Sequence, residues 1–509
     1  MRRDRRTTSS RNGALWTIGK DVLGYLPAQW IPAVASLLAV SVYTRFLDPD
    51  EFGFYVLTTS TVSMCIAVGF GWLSNATLRF YEKHRVDQRL DEFGSTALVL
   101  LFSVILLTGA GWAIAVRVIF GGHAPQLASV LRVGGWLLVA RAIYSFSISV
   151  LRAKRDIRTY AILSSSTTVV GVALSILFLV VLRLGASGIV AATAVSFGLL
   201  SAVAFVRIAR SWNPRLKLFR RRVAAEFAAY GVPLIGLSFG GMVLSFADRY
   251  MLQFLVGPAV VGIYGAGYAL ANRAVVMLSS VVAGASFPVL IRAYERDGET
   301  RTSSLLSQIS GVYVGVMLPA VIGFSLLASD VVRLLGGQYR GSGSFLPWIA
   351  GGAFCLGLAQ IAGKPFELRK RTKPLLLMIA GAALLNVILN LLLIPQIGAQ
   401  GAAYATMISY LIHFIAVRSV GKRLLRWSFP YPTLWRVAVA AGVMAVVVVV
   451  LRVVPSTWGV VARVGAGAAS YLAVLLLLRE PLFCGLAMGI LSRWRAAEPG
   501  GTTGGDSGI

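Results

Sequence analysis

Fourteen stretches of about twenty mostly apolar residues run through the chain, and no other feature limits its fold so strongly. A helix needs about that length to cross the roughly 30 Å hydrocarbon layer of a membrane. The stretches lie near 22–44, 52–74, 95–119, 127–150, 160–182, 186–206, 228–254, 260–289, 305–329, 343–362, 374–395, 399–417, 434–454 and 456–478. What separates them is too short for an independently folding domain. Only 13% of the 509 residues are charged and the mean hydropathy is +0.76, whereas soluble domains carry about 25% charge. The expected class is an all-α polytopic membrane protein whose backbone polar groups are satisfied within helices. The Gly-rich tail 491–509 has no apolar period and reads as disordered.

Basic residues orient such a chain, because Lys and Arg concentrate on the cytoplasmic side. The N-terminus, the connections after every even-numbered span and the C-terminal tail hold 36 of the 48 Lys and Arg residues. The opposite connections hold five, Arg45, Arg183, Arg333, Arg340 and, counted at the outer edge of its stretch, Arg452, and seven lie inside spans. Both termini are therefore expected in the cytoplasm, which requires an even number of helices. The formal charge of +28 is explained as topology signals facing anionic membrane lipids, with no nucleic-acid partner. Three cysteines and three histidines are scattered without ligand spacing, so neither a metal site nor a cofactor is expected.

The chain also repeats itself. Glu51-Phe52-Gly53-Phe54-Tyr55 returns as Val260-Val261-Gly262-Ile263-Tyr264, and Leu184-Gly185-Ala186-Ser187-Gly188 as Ile397-Gly398-Ala399-Gln400-Gly401. Each unit spans six helices, an even number, so the two units are parallel repeats about an axis along the membrane normal. The expected organisation is a cytoplasmic segment 1–21, an N-lobe 22–210, a C-lobe 226–420, two added helices over 434–478 and a cytoplasmic tail 479–509. Pro233 and Gly236 in helix 7 are candidates for bending during gating, the alternative being simple helix packing.

Charge within the spans costs at least a few kcal/mol unless it meets protein or water, so it marks candidate function. Arg141 in helix 4 has Tyr144, Ser145 and Ser149 beside it, and Arg273 in helix 8 follows Asn272, with Tyr264 and Tyr268 on the Asn272 face. Asp248 and Arg249 are adjacent in helix 7, Lys20 and Asp21 stand at the mouth of helix 1, and Asn386 and Asn390 are one turn apart in helix 11. Both halves thus contribute basic and hydrogen-bonding groups to an interior, hydrated, net-positive cavity. Arginine suits phosphate oxygens, and tyrosine suits sugar rings. Pairing with a polar neighbour and snorkelling to an interface are the other readings of Arg141 and Arg273. Asp248 reads as a neutralising partner of Arg249, or else as a cation-coupling carboxylate.

The run Thr44-Arg45-Phe46-Leu47-Asp48-Pro49-Asp50-Glu51-Phe52-Gly53-Phe54-Tyr55, the segment Asn75-Ala76-Thr77-Leu78-Arg79-Phe80, and Asp248-Arg249-Tyr250-Met251-Leu252 followed by Gly262-Ile263-Tyr264 resemble the polysaccharide biosynthesis and O-antigen flippase family. That family lies within the multidrug/oligosaccharidyl-lipid/polysaccharide exporter superfamily. The resemblance implies a V-shaped pair of six-helix lobes in a bacterial or archaeal cytoplasmic membrane. It implies a flippase, not an enzyme, moving an undecaprenyl-pyrophosphate-linked glycan toward the outer leaflet for lipopolysaccharide or exopolysaccharide assembly, with a polymerase and glycosyltransferases as pathway partners. Basic residues line the central cavity in that family, and Arg141, Arg249 and Arg273 are the matching candidates. Fourteen helices also resemble the lipid II flippase relatives, whose cavity arginine arrangement has no close match here. A cation-coupled multidrug antiporter of the same fold is the other reading; it needs a coupling carboxylate in the N-terminal half, where Asp21 is the only deep one.

Overall fold

The computed structural model describes residues 31–481 except 122–123, 213–214, 372 and 454–456. Lys20, Asp21 and the tail 491–509 lie outside the described residues. Among those described, every regular element is helical. Twelve helices are long and apolar enough to cross a membrane: α2 (Pro49–Val86), α3 (Leu90–Ile119), α4 (Pro125–Ala153), α5 (Arg158–Val181), α6 (Gly185–Ile208), α7 (Arg221–Leu255), α9 (Gly298–Leu326), α10 (Leu346–Leu368), α11 (Lys373–Ile397), α12 (Ala399–Leu424), α13 (Tyr431–Val450) and α14 (Gly459–Leu477). Two more stand in the order among the described residues: α1 (Ile31–Phe46) and α8 (Pro258–Arg296). Each of the fourteen overlaps one apolar stretch of the sequence, and the chain is a multi-pass membrane protein.

The helices start where local chemistry lets them. Asp48 accepts the Glu51 backbone N–H at 2.8 Å and Pro49 follows with its φ already helical, so α2 is capped. Asp156 caps α5 by accepting the Thr159 N–H at 3.1 Å, and hydrogen bonding from the Thr159 hydroxyl first, with that N–H adding to it, holds its carboxyl below the usual carboxylate range. Gly185 and Gly398, matched in the sequence repeat, both adopt φ of +58° just before or at the start of α6 and α12. A left-handed backbone is one that glycine reaches without steric cost.

Helix α2 packs against both α7 and α8. A π-helical turn at Ile66–Phe70 divides it, and such turns shift the register of the faces on either side. Above the turn α2 packs on α8, and below it on α7. The upper crossing is tight because glycine meets backbone: Gly53 lies against the Pro258 carbonyl, and Gly262 against the Pro49 carbonyl. At the lower crossing Gly231 faces the Trp72 ring, Phe80 stacks on Phe227 at 6.0 Å, and Lys83 pairs with Glu226 at 3.1 Å. Pro233 and Gly236 lie on exposed parts of a continuous α7, Gly236 near Leu376 of α11.

Short helical turns over 328–344 fold back onto the end of α1. Tyr339 donates to the Leu47 carbonyl at 3.0 Å, Gly336 N–H donates to Thr44 Oγ1 at 3.2 Å, and Ser41 donates to the Leu334 carbonyl. Asp330 in the same segment accepts from Arg463 of α14 at 3.0 Å, with Arg463 buried and Asp330 half-buried. An arginine that interrupts an apolar span is thereby neutralised, as burial requires.

Candidate functional site

A cavity of about 410 Å³ opens between α1, α2, α4, α5 and α6 and is closed by α7 and α8. Arg141, Arg249, Asn272 and Arg273, expected from sequence to share an interior, all line it. No carboxylate is among its lining residues, so three arginines line one space without an acid in its wall.

Each arginine is held differently. Arg141 donates to Ser63 Oγ of α2 at 2.9 Å and stands 5.8 Å from the Phe197 ring of α6. Tyr144 meets that ring edge-on at 4.9 Å, so it steadies the wall without lining the cavity itself. Ser145, also off the cavity, uses its carbonyl to accept from Ser149 at 2.9 Å. Arg249 is 5% exposed; it donates to the Ser245 carbonyl at 2.7 Å and lies over the rings of Phe246 (4.7 Å) and Tyr268 (4.4 Å). Cation–π contacts of this kind gain strength where water is excluded. Arg273 is exposed and forms no ion pair with a described residue.

Asp248 stands behind Arg249 rather than in the cavity wall. It is 3% exposed, its Oδ2 accepts from the Tyr264 hydroxyl at 2.6 Å, its Oδ1 accepts the Arg249 backbone N–H at 2.8 Å, and the Arg249 guanidinium is 3.9 Å away. A buried carboxylate with this many partners anchors α7 to α8 and offsets the Arg249 charge. Tyr264 and Tyr268 thus serve Asp248 and Arg249 from behind; neither lines the cavity.

Asn386 and Asn390 lie elsewhere. Both are fully buried in α11, Asn390 Nδ2 donating to Asn386 Oδ1 at 2.9 Å.

Beside the arginines runs a wall of hydroxyls that the sequence analysis did not single out. Tyr55, Thr59 and Ser63 recur every four residues along one face of α2, and Thr167, Thr168 and Thr193 add to it from α5 and α6. The four-residue recurrence in an apolar span was the available signal. Such a surface offers hydrogen-bond donors and acceptors beside fixed positive charge, which is chemistry for a polyol carrying phosphate.

Comparison with known proteins follows the same direction. The model of a family described as polysaccharide biosynthesis protein matches residues 18–294. Probable flippase AglR of Haloferax volcanii is 28% identical over 247 residues, 47% of this chain and 51% of the relative. Probable low-salt glycan biosynthesis flippase Agl15 of the same organism is 22% identical over 210 residues, 41% of this chain and 44% of the relative. The chain spans about half the length of the curated relatives it matches. Among solved structures, lipid II flippase MurJ in an inward closed conformation aligns with a TM-score of 0.73 at 13% identity, over 89% of this chain and 98% of that one. The inward-facing conformation of a multidrug resistance MATE family transporter of the MOP superfamily aligns with 0.66 at 15%, over 78% and 97%. These likenesses show the fold.

Proposed function

The chain belongs to the polysaccharide biosynthesis protein family, and from that premise we propose that it is a flippase for an undecaprenyl-pyrophosphate-linked or similar polyprenyl-linked glycan. The observation that carries this reading is the meeting of Arg141, Arg249 and Arg273 in one cavity whose lining has no carboxylate. A pyrophosphate brings two or more negative charges, and arginine forks bind its oxygens through paired donors. The hydroxyls of α2, α5 and α6 face the sugars. The lipid chain stays in hydrocarbon while the charged head passes through the hydrated interior, which avoids moving a bare charge through lipid.

Two lobes, 22–210 and 226–420, rock about the α2–α8 and α2–α7 crossings so that the cavity opens to one side at a time. The basic connections set both termini in the cytoplasm of a bacterial or archaeal cell, with the 47–51 and 255–258 turns outside. The α2–α8 crossing then closes the outer end. Glycosyltransferases and a polymerase of the same pathway supply and consume the lipid-linked glycan, and Asp248 acts as the counter-charge of Arg249. An antiporter for small cations fits less well, since a cavity with three arginines and no facing acid repels its cargo.

Proteoliposomes test the reading. Purified protein should move a fluorescent polyprenyl-pyrophosphate oligosaccharide between leaflets and should not drive efflux of cationic dyes. Dye efflux without lipid-glycan movement would replace this reading with the antiporter.

A further inference from the structure

A second feature lies on the opposite face of α4, away from the cavity. Leu137 and Arg141 of α4 face the cavity, whereas Trp136, Val139 and Ile143 face a surface groove. The groove has two joined parts of about 680 and 630 Å³ that share Trp136 and Val139. One part lies between α3 and α4 and reaches Pro125 at the start of α4; the other lies between α4 and α6 and reaches Ile143. From Pro125 to Ile143 the groove follows α4 for about 27 Å at 1.5 Å per residue, nearly the whole hydrocarbon thickness of about 30 Å.

Its walls are apolar apart from one end. Arg117 and Arg132, both exposed, line the part near Pro125, and neither forms an ion pair with a described residue. The remainder, with Phe102, Trp136 and Phe205, has no charged lining residue. Trp136 is 75% exposed, and a Cβ added at Gly109 or Gly198 would meet nothing within 4 Å, so the groove is open rather than filled by side chains. An acyl chain of an ordinary phospholipid ends near the bilayer midplane, about 15 Å from its head. Measured from Ala128, whose carbonyl accepts from Arg132, to Ile143, the groove runs about 22 Å at 1.5 Å per residue, deeper than such a chain reaches, and with its cations at one end it suits one long chain with a phosphate at its head.

We propose that this groove binds the isoprenoid chain of a polyprenyl phosphate along α4, with Arg117 and Arg132 holding the phosphate. The inference rests on the flippase reading for its choice of lipid, yet the site is physically separate from the cavity. It gives the carrier lipid a place on the protein surface where α3 ends and α4 begins.

The test uses full-length protein in nanodiscs of phosphatidylcholine and phosphatidylglycerol, with a polyprenyl phosphate bearing a diazirine on its chain as probe. Adducts should map to the groove walls on α3, α4 and α6, and a tenfold excess of phosphatidylglycerol should leave them. Arg117→Gln with Arg132→Gln should weaken probe binding at least tenfold. Gly109→Leu and Gly198→Leu, at positions where an added Cβ meets no heavy atom within 4 Å, should fill the groove and block labelling while melting temperature holds. Arg141→Gln should label as wild type does. Displacement by phosphatidylglycerol at equal concentration would assign the groove to ordinary phospholipid and overturn the proposal, as would adducts elsewhere or labelling unchanged by Gly198→Leu. Protein that translocates lipid-linked glycan but shows no groove adducts would remove this inference alone, and groove adducts without translocation would remove the flippase reading alone.

Discussion

Gly53 and Gly262, equivalent residues of the internal repeat, press their backbones against each other's helix in a reciprocal contact. A Cβ on Gly53 would stand 2.2 Å from the Pro258 carbonyl oxygen, and one on Gly262 would stand 1.9 Å from the Pro49 carbonyl oxygen. Pro49 and Pro258 are themselves repeat equivalents, so the contact is symmetric in sequence as well as in space.

Backbone cannot rotate away as a side chain can. Gly53→Ala and Gly262→Ala should therefore each cost about 1–3 kcal/mol by overpacking. Gly236→Ala, whose Cβ would meet nothing closer than 3.8 Å, is the matched control. Melting in detergent should show a clear fall for the first two and little change for the control.

The Asp248–Arg249 pair should behave as a unit. Asp248→Asn strands a buried guanidinium and should destabilise by about 3–5 kcal/mol, while the added Arg249→Gln should recover part of that loss. Tyr264→Phe, which removes one donor to the carboxylate, should cost about 1–2 kcal/mol. Chemical denaturation of single and double variants measures the coupling; additive losses would mean that the two charges act independently.

The same logic applies to Arg463 and Asp330, which tie α14 to the segment folded over the end of α1. Asp330→Asn alone should lower the melting temperature, and Asp330→Asn combined with Arg463→Leu should restore most of it. Limited proteolysis at 336–341 should accelerate in the single variant and not in the double.

Orientation has its own measurement. In a background lacking Cys65, Cys355 and Cys484, cysteines at Arg215, Asp297 and Lys370 should be shielded from an impermeant thiol reagent in intact cells, and cysteines at Leu184 and Gln338 should react. Exchange of any of these between sides would remove the fourteen-helix topology with cytoplasmic termini.

Much of this architecture is legible in the sequence because the bilayer imposes it. Twenty apolar residues have one economical structure in hydrocarbon, so the helices fall where the stretches do. Gly53 and Gly262 were visible as a repeat, yet only the structure shows that they touch each other. Arg141, Arg249 and Arg273 were legible because charge in a span needs a reason. The hydroxyls of Thr59 and Ser63 were not, since each also donates to a carbonyl one turn back, at 2.8 and 2.7 Å, and such bonds occur in helices without function. Asn386 and Asn390 signalled burial, but polarity within a span does not say which neighbour a helix face meets. Arg463 interrupts the apolar stretch of α14, and its partner lies 133 residues away, a distance no periodicity encodes.

If the cavity arginines hold the phosphate of a lipid-linked glycan, Arg141 and Arg273 reach it from α4 and α8 respectively. The measurement is the initial rate of lipid-linked oligosaccharide translocation in proteoliposomes, with matched amounts of wild type, Arg141→Gln and Arg273→Gln. Each Gln variant should fall at least tenfold at near-normal abundance, and Lys at either position should recover only part of the rate because it keeps charge and loses the fork. Rates equal to wild type in both Gln variants would contradict the account.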